Sequence, residues 1–193
     1  MTDSAESDEA LMLSFGRGDA AAFEELYRRH ESRVFRYLRR NVRDAEAAND
    51  LMQDVWFAVA RSAARYQPTA RFTTWLYTLA HNRMVDSIRT RRDHQSLDAT
   101  RADGTDGGSL TERLPADPRC EPATEVQARD DHARVLRAVG QLPEEQRAAF
   151  LLKAEGELSV EEIAAITGTS FETAKSRLRY ARSRLRELLW EYA

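Results

Sequence analysis

A chain of 193 residues can hold one large domain or two small ones, and 42% hydrophobic residues suit a soluble protein with modest cores. Its formal net charge of −3 points to no nucleic-acid partner, its single cysteine, Cys120, excludes an internal disulfide, and four scattered histidines make no metal-ligand spacing. The acidic N-terminus lacks a basic segment followed by an apolar run, and the longest apolar stretches are near Phe57 to Ala60 and Ala148 to Leu152; neither a secretory signal nor a membrane span is expected, and a cytoplasmic address is the default.

After a short N-terminal tail over residues 1–7, helices are expected over residues 8–16, 19–41, 44–65 and 72–91. Phe23, Leu26, Tyr27, Val34, Tyr37 and Leu38 follow helical periodicity, as do Leu51, Val55, Ala58 and Val59. Pro68 disfavours helix at the residue before it, so Tyr66 to Thr69 reads as a loop. Charge is segregated along this half. The stretch to Leu26 has seven acids and one arginine, whereas residues 27–41 hold six arginines against one glutamate and residues 61–92 hold seven against Asp86 alone. A chain that is acidic overall can thereby present local basic surfaces.

From Asp93 to Glu125 the composition shifts to Asp, Thr, Gly and Pro, with eight acids against three arginines. Low hydrophobicity with excess charge does not offset ordering entropy, so a flexible linker is expected. Thirty-three residues of random coil span roughly 30 Å and at most about 110 Å.

Beyond the linker, helices are expected over residues 126–140, 144–155, 159–167 and 170–190. No strand-like alternation and no internal repeat intervene, so the fold class is all-α, two small helical domains joined by the linker: residues 8–92 and residues 126–193. The last two helices form a helix-turn-helix. Ser159 and Glu162 fit a reciprocal capping box, Gly168 can take the left-handed turn, and Thr169 with Glu172 repeats the box for the second helix. In that helix Ala174, Leu178, Ala181, Leu185 and Leu188 mark a core face. The opposite face carries Ser170, Thr173, Lys175, Ser176, Arg177, Arg179, Tyr180 and Arg182. From Lys175 to Arg186 there are six cations and no acid, a pattern suited to phosphates and guanine edges in a major groove. Lys153 is a further candidate phosphate contact.

Three blocks, AAFEELYRRHESRVFRYLRR, DLMQDVWFAVARSAARYQPTARFTTWLYTLAHNRMVDSIRTRR and QLPEEQRAAFLLKAEGELSVEEIAAITGTSFETAKSRLRYARSRLR, together resemble the extracytoplasmic-function sigma factors of the sigma-70 family. The resemblance covers nearly everything except the first residues and the linker. It implies a region 2 domain followed by a region 4 domain, and a role in transcription initiation with RNA polymerase core enzyme. By the same resemblance Asp50, Leu51, Gln53, Asp54 and Val55 grip the clamp helices of the polymerase β′ subunit. Asp50, Gln53 and Asp54 fall on adjoining faces of one helix and offer acceptors to a basic partner. The family's acidic run before Leu51 is replaced by Ala47-Ala48-Asn49, which predicts weaker or conditional core binding.

Tyr66, Arg71, Asn82, Arg83, Arg89, Arg91 and Arg92 match the positions that read the −10 element on single-stranded DNA. Asn82 is the base contact and the arginines hold the backbone. Trp75 and Leu79 read instead as core, and Phe72 as the anchor of its helix. The cationic face from Ser170 to Arg182 matches the reader of the −35 element. The family also implies contact with the polymerase β flap, promoter DNA and an anti-sigma factor as partners, and no cofactor or metal.

Promoter elements two helical turns apart lie about 70 Å from each other. The linker reaches that far but does not fix it, so a rigid scaffold is expected to set the register. Two other classes compete. A stand-alone helix-turn-helix regulator would grip duplex DNA by itself, and an enzyme would need a nucleophile-base pair, phosphate loop or metal cluster that the sequence lacks.

Overall fold

The computed structural model describes residues 6–42, 44–99 and 123–190, with side chains over 6–42, 44–91 and 131–190. Among these residues the chain is helical throughout: α1 (Asp8–Gly16), α2 (Ala20–Val42), α3 (Ala45–Ser62), a 3-10 turn (Ala63–Arg65), α4 (Phe72–Ala99), α5 (Ala123–Gly140), α6 (Glu144–Gly156), α7 (Val160–Ile166) and α8 (Phe171–Trp190). The helices agree with the expected ones to within a few residues, except that α3 yields to the 3-10 turn and α4 runs on to Ala99. Arg92, Cys120 and the whole expected linker, residues 93–125, lie outside the residues with described side chains.

The first half, α1 to α4, is assembled by side chains that satisfy free helix-end amides. The Ser7 Oγ accepts from the Ala10 amide at 3.2 Å, and the Asp19 Oδ1 accepts from Ala21 at 3.0 Å to open α2. Asp44 opens α3 by accepting from Glu46 at 3.0 Å. The start of α4 is capped from a distance, where Glu9 of α1 accepts from the Phe72 amide at 2.7 Å. Beside it, Asp8 meets His30 Nε2 at 2.6 Å and Arg29 Nη1 at 2.8 Å. Burial pushes the Asp8 carboxyl up, but the bonds from His30 and Arg29 outweigh it and hold it below its usual range. α1 packs closely on the 3-10 turn: a Cβ on Gly16 would stand 2.6 Å from the Ala63 carbonyl oxygen, so only glycine fits without movement.

The second half, α5 to α8, closes with the helix-turn-helix. The capping box at Ser159 is formed, with the Glu162 amide donating to Ser159 Oγ at 3.1 Å and the Ser159 amide to Glu162 Oε2 at 2.7 Å. Gly168 has φ +62°, the left-handed conformation that reverses the chain. The cap of α8 differs from the expected Thr169 and Glu172 pair. Ser170 Oγ accepts from the Thr173 amide at 3.2 Å, while Thr169 bonds the Thr167 hydroxyl at 3.0 Å. A turn one residue longer puts Ser170, the better-placed hydroxyl, at the cap.

The two halves pack directly against each other. Their buried apolar residues form one continuous cluster, from Leu11 and Met12 through Tyr37, Phe72 and Leu76 to Leu151, Leu152, Ile163 and Leu188. α2 lies along α6, and α4 touches α6 and α7. At the closest approach Gly156 sits under Tyr77, where a Cβ would be 3.1 Å from Tyr77 Cε2.

Candidate nucleic-acid and polymerase interface

Three surfaces carry the candidate residues. The first is the outer face of α3. Asp50, Gln53 and Asp54 are exposed there, together with Phe57 at 60%. Leu51 and Val55 are not available to a partner: both are buried, because they lie one turn apart on the face that α2 and α4 cover. Their part is to hold the acidic face in place. Ala47 and Ala48 are buried as well, Ala48 completely. Asn49 is exposed, so of the two missing acids one, at Ala47, would have to be desolvated and the other, at Asn49, would stand in water beside Asp50.

The second surface is α4 with the loop before it. Tyr66, expected to contact single-stranded DNA, is instead buried, with its ring 5.1 Å from Trp75 and 6.3 Å from Phe72. Burial, with Glu9 and Asp8 nearby, pushes its phenol up to about 12. It cannot offer a face to a base without leaving the core. Phe72, Trp75 and Leu79 pack as expected. Residues 67–71 stay exposed, and so do Asn82, Arg83, Arg89 and Arg91. Arg83 and Arg91 border a groove shared with Asp50 and Asp54, and Arg91 pairs with Asp44 at 3.2 Å. Arg71 approaches Glu162 at 3.9 Å.

The inner side of α4 faces the second half. His81, Met84, Val85, Ile88 and Arg89 line a cavity of about 410 Å³ with Asn41, Glu144, Glu145, Arg147, Ala148, Thr167 and Arg177. Next to it His81, Asn82, Val85 and Asp86 face the turn at Ile166, Thr167 and Gly168. His81 Nδ1 is 2.9 Å from the Tyr37 hydroxyl. Burial, aided by the Arg177 guanidinium, holds the imidazole below its usual range and so favours its neutral form.

The third surface is α8. Ala174, Leu178, Ala181, Leu185 and Leu188 form its buried stripe, as the periodicity predicts. Lys175, Arg179, Tyr180 and Arg182 are exposed on the other side. The Arg179 guanidinium lies 4.9 Å from the Tyr180 ring centroid, which pre-orients both outward. Lys175, Arg179, Arg182 and Arg186 line a groove with Lys153, a stripe of cations at helical spacing. Lys153 itself donates to the Leu158 carbonyl at 2.8 Å. Ser170 and Thr173 are half committed to the cap, and Ser176 Oγ donates to the Thr173 carbonyl at 3.0 Å. Arg177 differs from its neighbours. It turns toward α6, pairs with Glu145 at 2.5 Å, and keeps only 20% of its side chain exposed.

Sequence reasoning missed the polar residues of the seam. Glu155 is buried, and its two oxygens are held by Arg36, at 2.9 Å, and by Arg40. Buried Arg147 donates to the Leu142 carbonyl at 3.0 Å and across the seam to the Asn41 carbonyl at 3.2 Å. Glu162 does double duty, since its Oε1 accepts from the Thr74 hydroxyl at 2.5 Å while Oε2 completes the capping box. Burial pushes that carboxyl up, and these bonds with the Arg71 charge bring it below its usual value.

Known proteins match this arrangement over both halves. Residues 26–94 match the Sigma-70 region 2 family and residues 132–185 the Sigma-70, region 4 family. The chain is 33% identical over 193 residues to the ECF RNA polymerase sigma factor RpoE of Cereibacter sphaeroides, covering 97% of this chain and 98% of that one. This chain is an extracytoplasmic-function sigma factor. It is also 37% identical over 181 residues to the RNA polymerase sigma factor CarQ of Myxococcus xanthus, covering 93% of this chain and 96% of the relative. The sigma factor RpoE of Bartonella quintana, solved in complex with the anti-sigma factor NepR, superimposes with a TM-score of 0.60 at 25% identity, over 81% of this chain and 89% of that one. CnrH, solved with the cytosolic domain of CnrY, shares the fold with a TM-score of 0.67 at 23% identity, over 97% of this chain and 100% of that one. Sigma factors are transcription initiation factors, not enzymes. Among the described residues no helix of this one is long and apolar enough to cross a membrane.

Proposed function

We propose that this sigma factor docks on core RNA polymerase through Asp50, Gln53 and Asp54 of α3, reads the −10 element with α4, and reads the −35 element with α8. The observation that carries the reading is the outward cationic stripe of α8, set on a capped helix-turn-helix whose buried stripe fixes which side faces out. A recognition helix so presented can enter a major groove, with Lys175, Arg179 and Arg182 on phosphates and base edges. On α4, Asn82 supplies the amide that pairs with an unstacked base, and Arg71, Arg83, Arg89, Arg91 and Arg92 supply backbone contacts. Arg177 serves to brace α8 on α6 before it serves DNA.

The division of labour follows from distance. Readers in two tethered halves select a promoter only when a larger body holds them about 70 Å apart, and the polymerase, through β′ and the β flap, is that body. One of the matched structures, that of RpoE from Bartonella quintana, holds a partner named an anti-sigma factor. We infer similar control here, in the cytoplasm and in a stress or envelope response.

Run-off transcription on a panel of promoters tests the reading. Transcripts that start only when this chain is added to core enzyme support it. A chain that grips one duplex site as tightly alone as with core would instead be a stand-alone regulator.

A further inference from the structure

α1 is the one helix of the first half that lies wholly outside the stretch matching Sigma-70 region 2, and of its residues only Leu11 and Met12 are buried. Its carboxylates reach other helices instead. Asp8 meets His30 at 2.6 Å and Arg29 at 2.8 Å, which fixes α1 along α2. Glu9, the next residue, accepts from the Phe72 amide at 2.7 Å, across 63 positions of sequence. At the other end of α1, Gly16 stands so close to Ala63 that a Cβ would lie 2.6 Å from its carbonyl oxygen. The two ends of α1 thus grip both elements that flank the exposed loop 67–71: the 3-10 turn before it and the start of α4 after it.

The grip on α4 fills a place that the local sequence leaves open. The Trp75 amide donates to the Arg71 carbonyl at 3.1 Å, so Arg71 occupies the cap position, and an arginine side chain has donors only. Glu9 brings from another helix the acceptor that Ser, Thr, Asp or Asn supplies at an ordinary cap, and its carboxylate lies at the positive end of the α4 dipole. Inside the loop the Thr69 amide donates to the Gln67 carbonyl at 2.8 Å. Behind it the Tyr66 ring is wedged 5.1 Å from Trp75 and 6.3 Å from Phe72, and the His30 ring that meets Asp8 lies 5.4 Å from Phe72. Position matters for a bound strand. Arg71 and Asn82 are both exposed and fall on one side of α4, about three turns or about 16 Å apart. A swing of the loop end would move Arg71 against Asn82 and spoil the alignment of the two contacts.

Resting on the promoter-reading function above, we infer that α1 is part of the −10 reader: Glu9 is a positioning residue that holds loop 67–71 and the first turn of α4 ready for the melted strand. It acts through the backbone of α4, not on DNA. Its bond to the Phe72 amide removes alternative conformations of the loop before the strand arrives, so the cost of ordering the loop does not fall on DNA binding. Without that bond only the fraction of molecules with the loop in register binds, and the apparent affinity for the strand falls by that fraction. The effect is confined to single-strand reading, because the cap acts on α4 and its loop and not on the stripe of α8 or the acidic face of α3.

The test assembles full-length Glu9→Ala and Glu9→Gln chains with core polymerase. The probes are a promoter that the wild-type holoenzyme transcribes, each of its −10 strands as a single-stranded oligonucleotide, and its −35 duplex. Glu9→Ala should weaken binding of the −10 oligonucleotide and reduce permanganate-detected opening by about five- to thirtyfold, the scale of a lost helix cap, while affinity for core and for the −35 duplex stays within about twofold. Glu9→Gln, which keeps a carbonyl acceptor at the same place, should restore most of the loss. Gly16→Ala, which pushes on the 3-10 turn at the other end of α1, should produce the same selective loss, and circular dichroism with thermal unfolding checks that all three chains fold. A Glu9→Ala chain that binds and opens like wild type, a glutamine variant as impaired as the alanine one, or a loss spread equally over core, duplex and strand binding overturns the inference. Each of these leaves the sigma reading standing, which fails only if the wild-type chain with core gives no transcript.

Discussion

The two helices that carry the DNA-reading residues are treated differently by the rest of the molecule. α8 turns its cations to water. Of its central arginines and lysine, only Arg177 is drawn inward, to Glu145. α4 has one face on its own core and another on the second half, so His81, Asn82, Val85 and Arg89 border the seam. Both helices show their candidate side chains to solvent, but those of α4 stand beside the second half. Duplex binding through α8 is therefore open to the free chain, whereas a strand lying along α4 must pass close to the turn of the helix-turn-helix.

The strongest way to break this comparison is to remove the charges of α8. The triple variant Lys175→Ala, Arg179→Ala and Arg182→Ala should weaken duplex binding by roughly 10²- to 10³-fold near 0.1 M salt and lower the salt slope by about 2.7, for every sequence alike. Titration of labelled duplex at several salt concentrations measures both. A loss confined to one sequence would show base reading where phosphate contact is expected.

Asn82→Ala should behave in the opposite manner. Duplex binding by the free chain should not change, while open-complex formation with core should lose about 1–3 kcal/mol, the cost of one unsatisfied buried hydrogen-bonding partner. Permanganate reactivity of the melted strand reports it. Equal effects on duplex and melted DNA would erase the distinction between the two helices.

A smaller effect comes from His81. Its native pKa is depressed, so an unfolded or opened chain binds the proton more readily than the closed one. The stability that its neutral form gives the closed state is complete above an ordinary histidine pKa of about 6.5 and declines as pH falls through that value toward the lowered native one. Tyr37 bonds the same imidazole, and Arg89, Arg177, Glu144 and Glu145 line the same cavity, with the Arg177 guanidinium opposing its protonation. Energy transfer between the halves should show up to several-fold more open form at pH 5, and His81→Gln should flatten the response.

The smallest effect belongs to the exposed pair between the halves, Arg33 with Glu157 at 2.9 Å. Glu157→Gln removes a pair whose partners are both half exposed and should change stability by less than about 0.5 kcal/mol in thermal or denaturant unfolding. A larger loss would mean that this exposed pair holds the halves together more than the buried Glu155 does.

What the sequence could show was local. The Ser159 capping box, the left-handed Gly168 and the five-residue stripe of α8 depend on neighbours within a turn or two, and each was readable from spacing. The cap of α8 lies one residue beyond the expected Thr169, because Thr169 and Ser170 offer the same hydroxyl in adjacent places and only the turn's length chooses. Leu51, Val55 and Tyr66 were drawn into the interface by their place in family motifs, though helical periodicity already put the first two on the core face. The seam was illegible for a physical reason. Arg36, Arg40 and Glu155 look like solvated surface charges until the chain brings together positions more than a hundred residues apart, and no periodicity records that pairing.

Footprinting on a promoter with separated −10 and −35 elements tests most directly whether two weak readers become specific only on a scaffold. With core enzyme, this chain should protect both elements at once and render the −10 strand reactive to permanganate, and without core it should protect neither at the same concentration. Protection of both elements by the chain alone, at equal affinity, would contradict the account.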